Sequence, residues 1–142
     1  MSDKTMPVSV VSAEDHVLDG EATELYARAV EGEIGILPGH APALVALDVG
    51  PVRVTLADGT KVRIAVHHGV LFVAEDGKVI VLADIAELAE DIDLERAQAK
   101  AERIKRRLEA GAAGDVEVQR ISLRKQELRI QVAQGTETTP AG

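Results

Sequence analysis

Val52-Arg53-Val54-Thr55-Leu56 and Val62-Arg63-Ile64-Ala65-Val66 alternate apolar with other residues, and Asp58-Gly59 lies between them. Successive side chains of a strand point to opposite faces, so each run turns one apolar edge towards a core. Glycine tolerates the positive φ of a tight hairpin turn, which makes the pair a β-hairpin. The unit recurs downstream as Val70-Leu71-Phe72-Val73-Ala74, then Glu75-Asp76-Gly77, then Val79-Ile80-Val81-Leu82. Upstream, Met6 to Ala13 alternates apolar and small polar residues, and Ala22 to Val30 alternates less cleanly. Many short strands joined by tight turns predict an antiparallel β-sandwich or small barrel, here over residues 1–86.

Beyond a boundary near residues 84–91 the pattern changes. Leu94, Ala97, Ala101, Ile104 and Leu108 recur at helical spacing, with Asp93 placed to cap the first turn and Arg103, Lys105, Arg106 and Arg107 near the end where cations suit the helix dipole. Gly111-Ala112-Ala113-Gly114 interrupts the stripe, and Asp115 is a second cap candidate. Val118, Ile121, Leu128 and Val132 then form a second stripe, crossed by Lys125. Local alternation in Val116-Glu117-Val118 and Leu128 to Val132 competes with the helix, but the short glycine-rich connection favours two antiparallel helices. The expected architecture is α+β: a sandwich, a helical hairpin over residues 87–133, and a disordered tail over 134–142. The hairpin's seam is small and Ala-rich, so it must dock on something to be stable.

Composition narrows the function. The 142 residues carry a net charge of −8, no cysteine, no tryptophan, one tyrosine and one phenylalanine. Nucleic acid is a poor partner for such a chain, because phosphate contact needs clustered cations and single strands need stacking aromatics. Disulfides, thiolate zinc sites and cysteine nucleophiles are excluded. No segment approaches the ~18 apolar residues of a spanning helix, which predicts a soluble chain that meets a membrane only through a partner. The charge is unevenly spread: residues 1–86 hold 13 acids and 6 bases, whereas residues 87–131 hold 10 of each. The arginines of the second segment, among them Arg96, Arg103, Arg106, Arg107, Arg120, Arg124 and Arg129, suit either solvent, an acidic protein surface or phosphates.

Neither a Gly-x-Ser-x-Gly elbow nor a phosphate-cradling glycine loop is present, so catalysis by this chain is not expected. His16, His40, His67 and His68 raise a metal hypothesis, with Glu75 as a carboxylate ligand, but adjacent His67 and His68 on one strand face opposite ways. A small metal-dependent jelly-roll enzyme and a free-standing adaptor with a docking hairpin remain the alternatives. The segment Gly32 to Pro42 contains Pro38-Gly39, a type II turn signal, and reads as a shaped loop between strands or as a contact surface.

Val10-Val11-Ser12-Ala13-Glu14, the Gly32 to Pro42 loop, His68-Gly69-Val70 leading into Val81-Leu82-Ala83-Asp84, and Asp91-Ile92-Asp93 together resemble the epsilon subunit of bacterial F-type ATP synthases. The resemblance implies a non-catalytic central-stalk subunit that binds the gamma subunit and the membrane ring of c subunits, peripheral on the cytoplasmic face of the cell membrane. It implies that Glu33 and His40 face the ring. It also implies that the helices regulate ATP hydrolysis, with Arg103, Arg106, Arg107, Arg120 and Arg124 meeting an acidic loop of a beta subunit. Ile92-Asp93-Leu94-Glu95-Arg96-Ala97 matches a motif with which some members bind ATP. By resemblance the set would be Glu87, Ile92, Asp93, Arg96, Ala97, Arg103 and Arg120, with ATP as a regulatory ligand and no cofactor required. Glu127 stands where that pattern has an arginine. Read on their own, Asp93 is a helix cap and Arg96 an exposed helical residue.

Overall fold

The computed structural model describes residues 4–111 and 114–135. Seven strands come first: β1 (Met6–Ser12), β2 (His16–Ala29), β3 (Gly32–Ile36), β4 (Ala43–Leu47), β5 (Gly50–Leu56), β6 (Lys61–Val73) and β7 (Val79–Leu88). A 3-10 turn (Ala89–Asp91) leads to α1 (Leu94–Glu109) and α2 (Val116–Gln134). The sheet, running β7 to Leu88, continues two residues past the expected end of the sandwich at residue 86, and α2 runs one residue beyond 133. Of the expected tail, residues 136–142 lie outside the described residues, as do Ala112 and Ala113 of the glycine-rich connection.

Strand order is β1-β7-β6-β4-β2-β3, with β5 joining β2 to β6 and β1 returning to β2. The sheet thus closes on itself, which leaves few free edges. Every pair is antiparallel except β1 and β7, which run parallel. Inside lies one continuous core that includes Val10, Leu25, Ile36, Ile64, Leu71, Val79 and Val81, each at most 1% exposed. It is built from aliphatic side chains, as two aromatics in the chain require.

Strand β6 departs from the expectation of two strands at 62–66 and 70–74. It is one strand that changes partners midway, pairing β5 through Lys61–Val66 and β4 through Gly69–Val73. The change occurs at a local irregularity where His68 has φ 60° and Gly69 φ 159°, while the register with β7 runs on unshifted from His67↔Ile85 to Gly69↔Ala83. A Cβ at Gly69 would run into the Leu82 carbonyl oxygen, so only glycine lets β7 approach here. The expected loop at 32–42 also resolves differently: its first half is β3, paired with β2 from Leu25↔Ile36 to Ala29↔Gly32. Its second half is the turn, closed by the His40 N–H donating to the Leu37 carbonyl at 3.0 Å.

Both helices begin at an aspartate. Asp93 accepts from the Arg96 N–H, and Asp115 from the N–H groups of Glu117 and Val118. α1 packs chiefly on α2, burying Ala97 and Ala101. α2 docks on the sandwich through Leu128 and Val132, which cluster with Val49 and Ala65. The second stripe is therefore split. Its C-terminal half is covered, whereas Val118 and Ile121 overhang the sheet at 57% and 44% exposure.

Candidate functional site

Four strands carry an outward apolar face. Registers align Leu44↔Phe72↔Ile80 in one cross-strand row and Ala46↔Val70↔Leu82↔Val11 in the next. Leu44 is 74% exposed, Leu82 53% and Phe72 41%. An apolar patch spread over four strands of a small protein marks a place where another molecule is meant to sit. These residues were not singled out from sequence. The available signal was that Val70–Val73 and Val79–Leu82 are apolar at every position, the mark of strands covered on both faces.

Glu33 and His40 do not adjoin. Glu33 lies at the turn end of β3, opposite Arg28, whose guanidinium is 3.8 Å from its carboxylate. His40 lies in the connection leaving the other end, where its Nδ1–H donates to the Ala41 carbonyl at 2.7 Å. Exposed Val30 flanks the first end and exposed Leu37 the second.

The seam between sandwich and hairpin gathers most of the remaining expected residues. Glu87, Asp91, Ile92, Asp93, Arg96, Ala97, Lys100, Gln126 and Arg129 line an open cleft of about 400 Å³. Five of the seven residues expected around ATP are brought together there. Arg103 is not; it lines a smaller cleft with Lys100, Ile104 and Arg107. Arg120 lies exposed on the first turns of α2, outside both clefts. The side chains that sequence reasoning left out of the set, Lys100 and Arg129, supply the further cations. Lys100 stands one turn after Arg96, whereas Arg129 is 42 residues from Glu87 and only the fold joins them.

Glu87 is already engaged. Its Oε1 accepts from His67 Nε2–H at 3.1 Å and from Arg129 Nε–H at 2.7 Å. The His67 hydrogen bond, against the opposing effect of burial and with help from Arg129, holds its carboxyl below the usual range. Asp48 forms a second tie: Burial pushes its carboxyl up, but the Val49 N–H, Arg124 and His68 outweigh this and lower it. Arg124 Nη2 donates to Asp48 Oδ2 at 3.4 Å. Among the arginines expected to meet an acidic partner, Arg124 is thus engaged with Asp48 of the sandwich while its side chain stays half exposed. Arg106 lies 4.0 Å from Glu102, and Arg103, Arg107 and Arg120 are exposed.

The metal hypothesis finds no constellation. Among the described residues no group of three or more His, Asp and Glu is placed to hold an ion. Glu75 stands in the β6–β7 turn, while His67 and His68 lie midway along β6.

The family described as ATP synthase, Delta/Epsilon chain, beta-sandwich domain matches residues 5–89. The ATP synthase epsilon chain of Streptomyces avermitilis is 44% identical over 119 residues, covering 82% of this chain and 95% of that one. That of Anoxybacillus flavithermus is 44% identical over 107 residues, covering 75% and 78%. Both alignments are too long to be confined to the sandwich. Among solved structures, a chain of the Euglena gracilis mitochondrial ATP synthase (OSCP/F1/c-ring, rotational state 1) superposes with TM-score 0.76 at 22% identity, covering 87% of this chain and 78% of that chain. A chain of the Tetrahymena thermophila mitochondrial ATP synthase central stalk and c-ring gives 0.59 at 12% identity, covering 97% and 100%. At such identities the two superpositions speak for the fold, and the sequence matches speak for kinship: the chain belongs to the ATP synthase delta/epsilon chain family.

Proposed function

We propose that the chain is a non-catalytic rotor subunit in the central stalk of an F-type ATP synthase. Its sandwich binds the gamma subunit and the c-subunit ring, coupling proton flow to ATP synthesis, and its helices regulate hydrolysis by the beta subunits. The subunit is peripheral, on the cytoplasmic face of the membrane. The observation that carries this reading is the apolar face of Leu44, Phe72 and Leu82, which supplies what a partner-free protein has no use for. Gamma takes this face. The ring is met along β3, whose two ends offer Glu33 with Val30 and His40 with Leu37. Exposed Arg103, Arg107 and Arg120 are available to an acidic beta-subunit loop without loss of the docked hairpin's ties.

Co-purification with gamma is the test. The full chain should bind gamma, and Leu44→Glu with Phe72→Glu should weaken binding about 30-fold or more, as loss of central anchors does. A chain ending at Asp93 should still bind gamma, whereas an adaptor working through its hairpin would lose its partner. No binding by the full chain overturns the reading.

A regulatory ATP is favoured by one specific observation, the cleft where Arg96, Lys100 and Arg129 converge beside the α1 N-terminus. Phosphates suit such a site. Calorimetric titration of the isolated chain should show ATP binding that Arg96→Ala weakens and Arg103→Ala weakens less. Equal affinity in Arg96→Ala would leave Asp93 and its neighbours as a helix cap alone.

A further inference from the structure

His67 and His68 are consecutive on β6, and each stands behind a carboxylate that receives an arginine of α2. His67 and Arg129 share Glu87 Oε1. His68 Nδ1 is 4.0 Å from Asp48 Oδ1, and Arg124 bonds the other oxygen, Oδ2. We propose that this doubled arrangement makes docking of the hairpin proton-sensitive: protons taken up by His67 and His68 loosen α2 from the sandwich.

The argument rests on what docking changes around each imidazole. His67 is 1% exposed and lies on the same face of β6 as Ala65, which is packed under Leu128 and Val132. With the hairpin docked, a proton at His67 Nδ1 would make a buried donor, and that atom has no hydrogen-bond partner. A buried donor left unmatched is costly. α2 seats on Ala65, two residues away on the same face, so its departure opens this side of the strand to water. Charge works in the same direction. A cationic His67 satisfies the Glu87 oxygen without Arg129 and repels it, and a cationic His68 does the same to Arg124 across Asp48.

The other charged groups do not reverse this sign. Glu87 and Asp84 on β7, Asp48 after β4, Glu90 and Asp91 in the 3-10 turn, and Arg63 on β6 belong to the sandwich or its exit. They stay beside the histidines whether or not α2 is docked. Arg28, which lines a cleft with Arg124 when α2 is docked, is on β2 and stays with the sandwich. Docking brings Arg124, Lys125 and Arg129 against Glu127 from α2, and Arg96 and Lys100 against Asp93 at the start of α1, which line the cleft beside Glu87. The arriving charge is net positive, so docking and imidazole protonation oppose each other. Both histidines act on one helix, which makes the response steeper than a single imidazole gives.

The test uses the full chain alone, so its outcome is independent of gamma binding. The protein has no cysteine, and Glu31→Cys with Lys105→Cys places one fluorophore on the sandwich and one on α1. Between pH 8 and pH 5.5 the ratio of docked to detached hairpin should fall at least about threefold, since every proton bound more tightly in the detached state draws the equilibrium towards it. His67→Gln with His68→Gln should flatten the profile, while His16 and His40 remain as internal controls. Exposed His68→Gln alone, which leaves the buried position intact, should remove part of the slope and decides the matter if the double variant does not fold. A flat profile in the parent, or equal slopes in parent and His68→Gln, overturns the proposal.

Discussion

The sandwich and the hairpin are held together by different means. Seventeen buried apolar side chains form one core between the strands, whereas the hairpin's attachment buries four, Val49, Ala65, Leu128 and Val132. The polar ties are distributed the opposite way. Glu87 with Arg129, Asp48 with Arg124, and the Arg63 guanidinium on the Val132 carbonyl at 3.2 Å all cross from sandwich to α2. A continuous apolar core fails as a whole, since removing one member leaves a cavity that its neighbours share. A small apolar contact reinforced by a few ion pairs can open while both sides stay folded. The difference teaches that stability and regulation are assigned to separate parts: strands supply the rigid scaffold, and the hairpin is a detachable arm.

Loss of a core side chain is the sharpest way to break that contrast. Leu71 is 0% exposed, so Leu71→Ala should cost about 2–5 kcal/mol of global stability, read from denaturant midpoints of the sandwich. Leu128 is 5% exposed at the seam, and Leu128→Ala should forfeit roughly 2 kcal/mol, the low end for such truncations. Its effect should appear as lost amide protection in α2, with β6 and β7 protected as before. Equal loss of protection in α2 and in the strands would mean that the two regions unfold as one unit.

How far sequence alone reached follows the same division. Alternation located β1, β5 and the first half of β6, because a half-buried strand advertises its period locally, and a continuous apolar run after a turn located β7. It failed at β3, where Gly35 looks like loop material. That glycine is needed inside a strand, since a Cβ there would lie 2.8 Å from the Tyr26 ring. It failed again at His67-His68-Gly69, where a positive-φ irregularity within β6 imitates a turn. In the hairpin, helix caps at Asp93 and Asp115 were legible, as they depend on three or four neighbouring residues. Which half of the α2 stripe is covered was not, because that depends on where the sheet ends beneath it. Glu87 enters as a nucleotide ligand only through the family resemblance, because its partners His67 and Arg129 are distant in sequence. Sequence pattern sees periods and caps; it does not see pairings across 20 or 42 residues.

The caps sharpen the comparison at smaller amplitude. Asp93→Ala and Asp115→Ala each leave first-turn N–H groups without their acceptor, at about 1 kcal/mol apiece. Asp115 serves two such groups and Asp93 one, so the Asp115 variant should lose more helical signal on mild heating. Neither should move the midpoint of the sandwich. A shift there would tie the hairpin's integrity to the core more closely than the seam suggests.

Acid supplies the gentlest separation of the two regions. Glu87 and Asp48 hold the seam, and both carboxyls lie below their ordinary values of 4.5 and 3.8. A folded-state value beneath the unfolded one means that the unfolded chain binds protons first as pH falls. The stabilisation is therefore fully present above the ordinary carboxylate values and is lost as pH drops from those through the lowered folded ones. That window lies below the pH 8 to 5.5 span of the histidine test, so the two responses can be told apart. Asp19 and Asp58 are lowered as well, by the Ser9 hydroxyl and by Thr60, but they are solvent-exposed and belong to the sandwich surface. Their protonation takes nothing from the aliphatic core. Amide exchange followed from pH 6 to pH 3 should show α2 losing protection before β6, because the carboxylates that hold α2 are part of its attachment while those of the sandwich only decorate it. Simultaneous loss in both would show that the ion pairs at the seam contribute nothing separable, and that Leu128 and Val132 alone keep the arm in place.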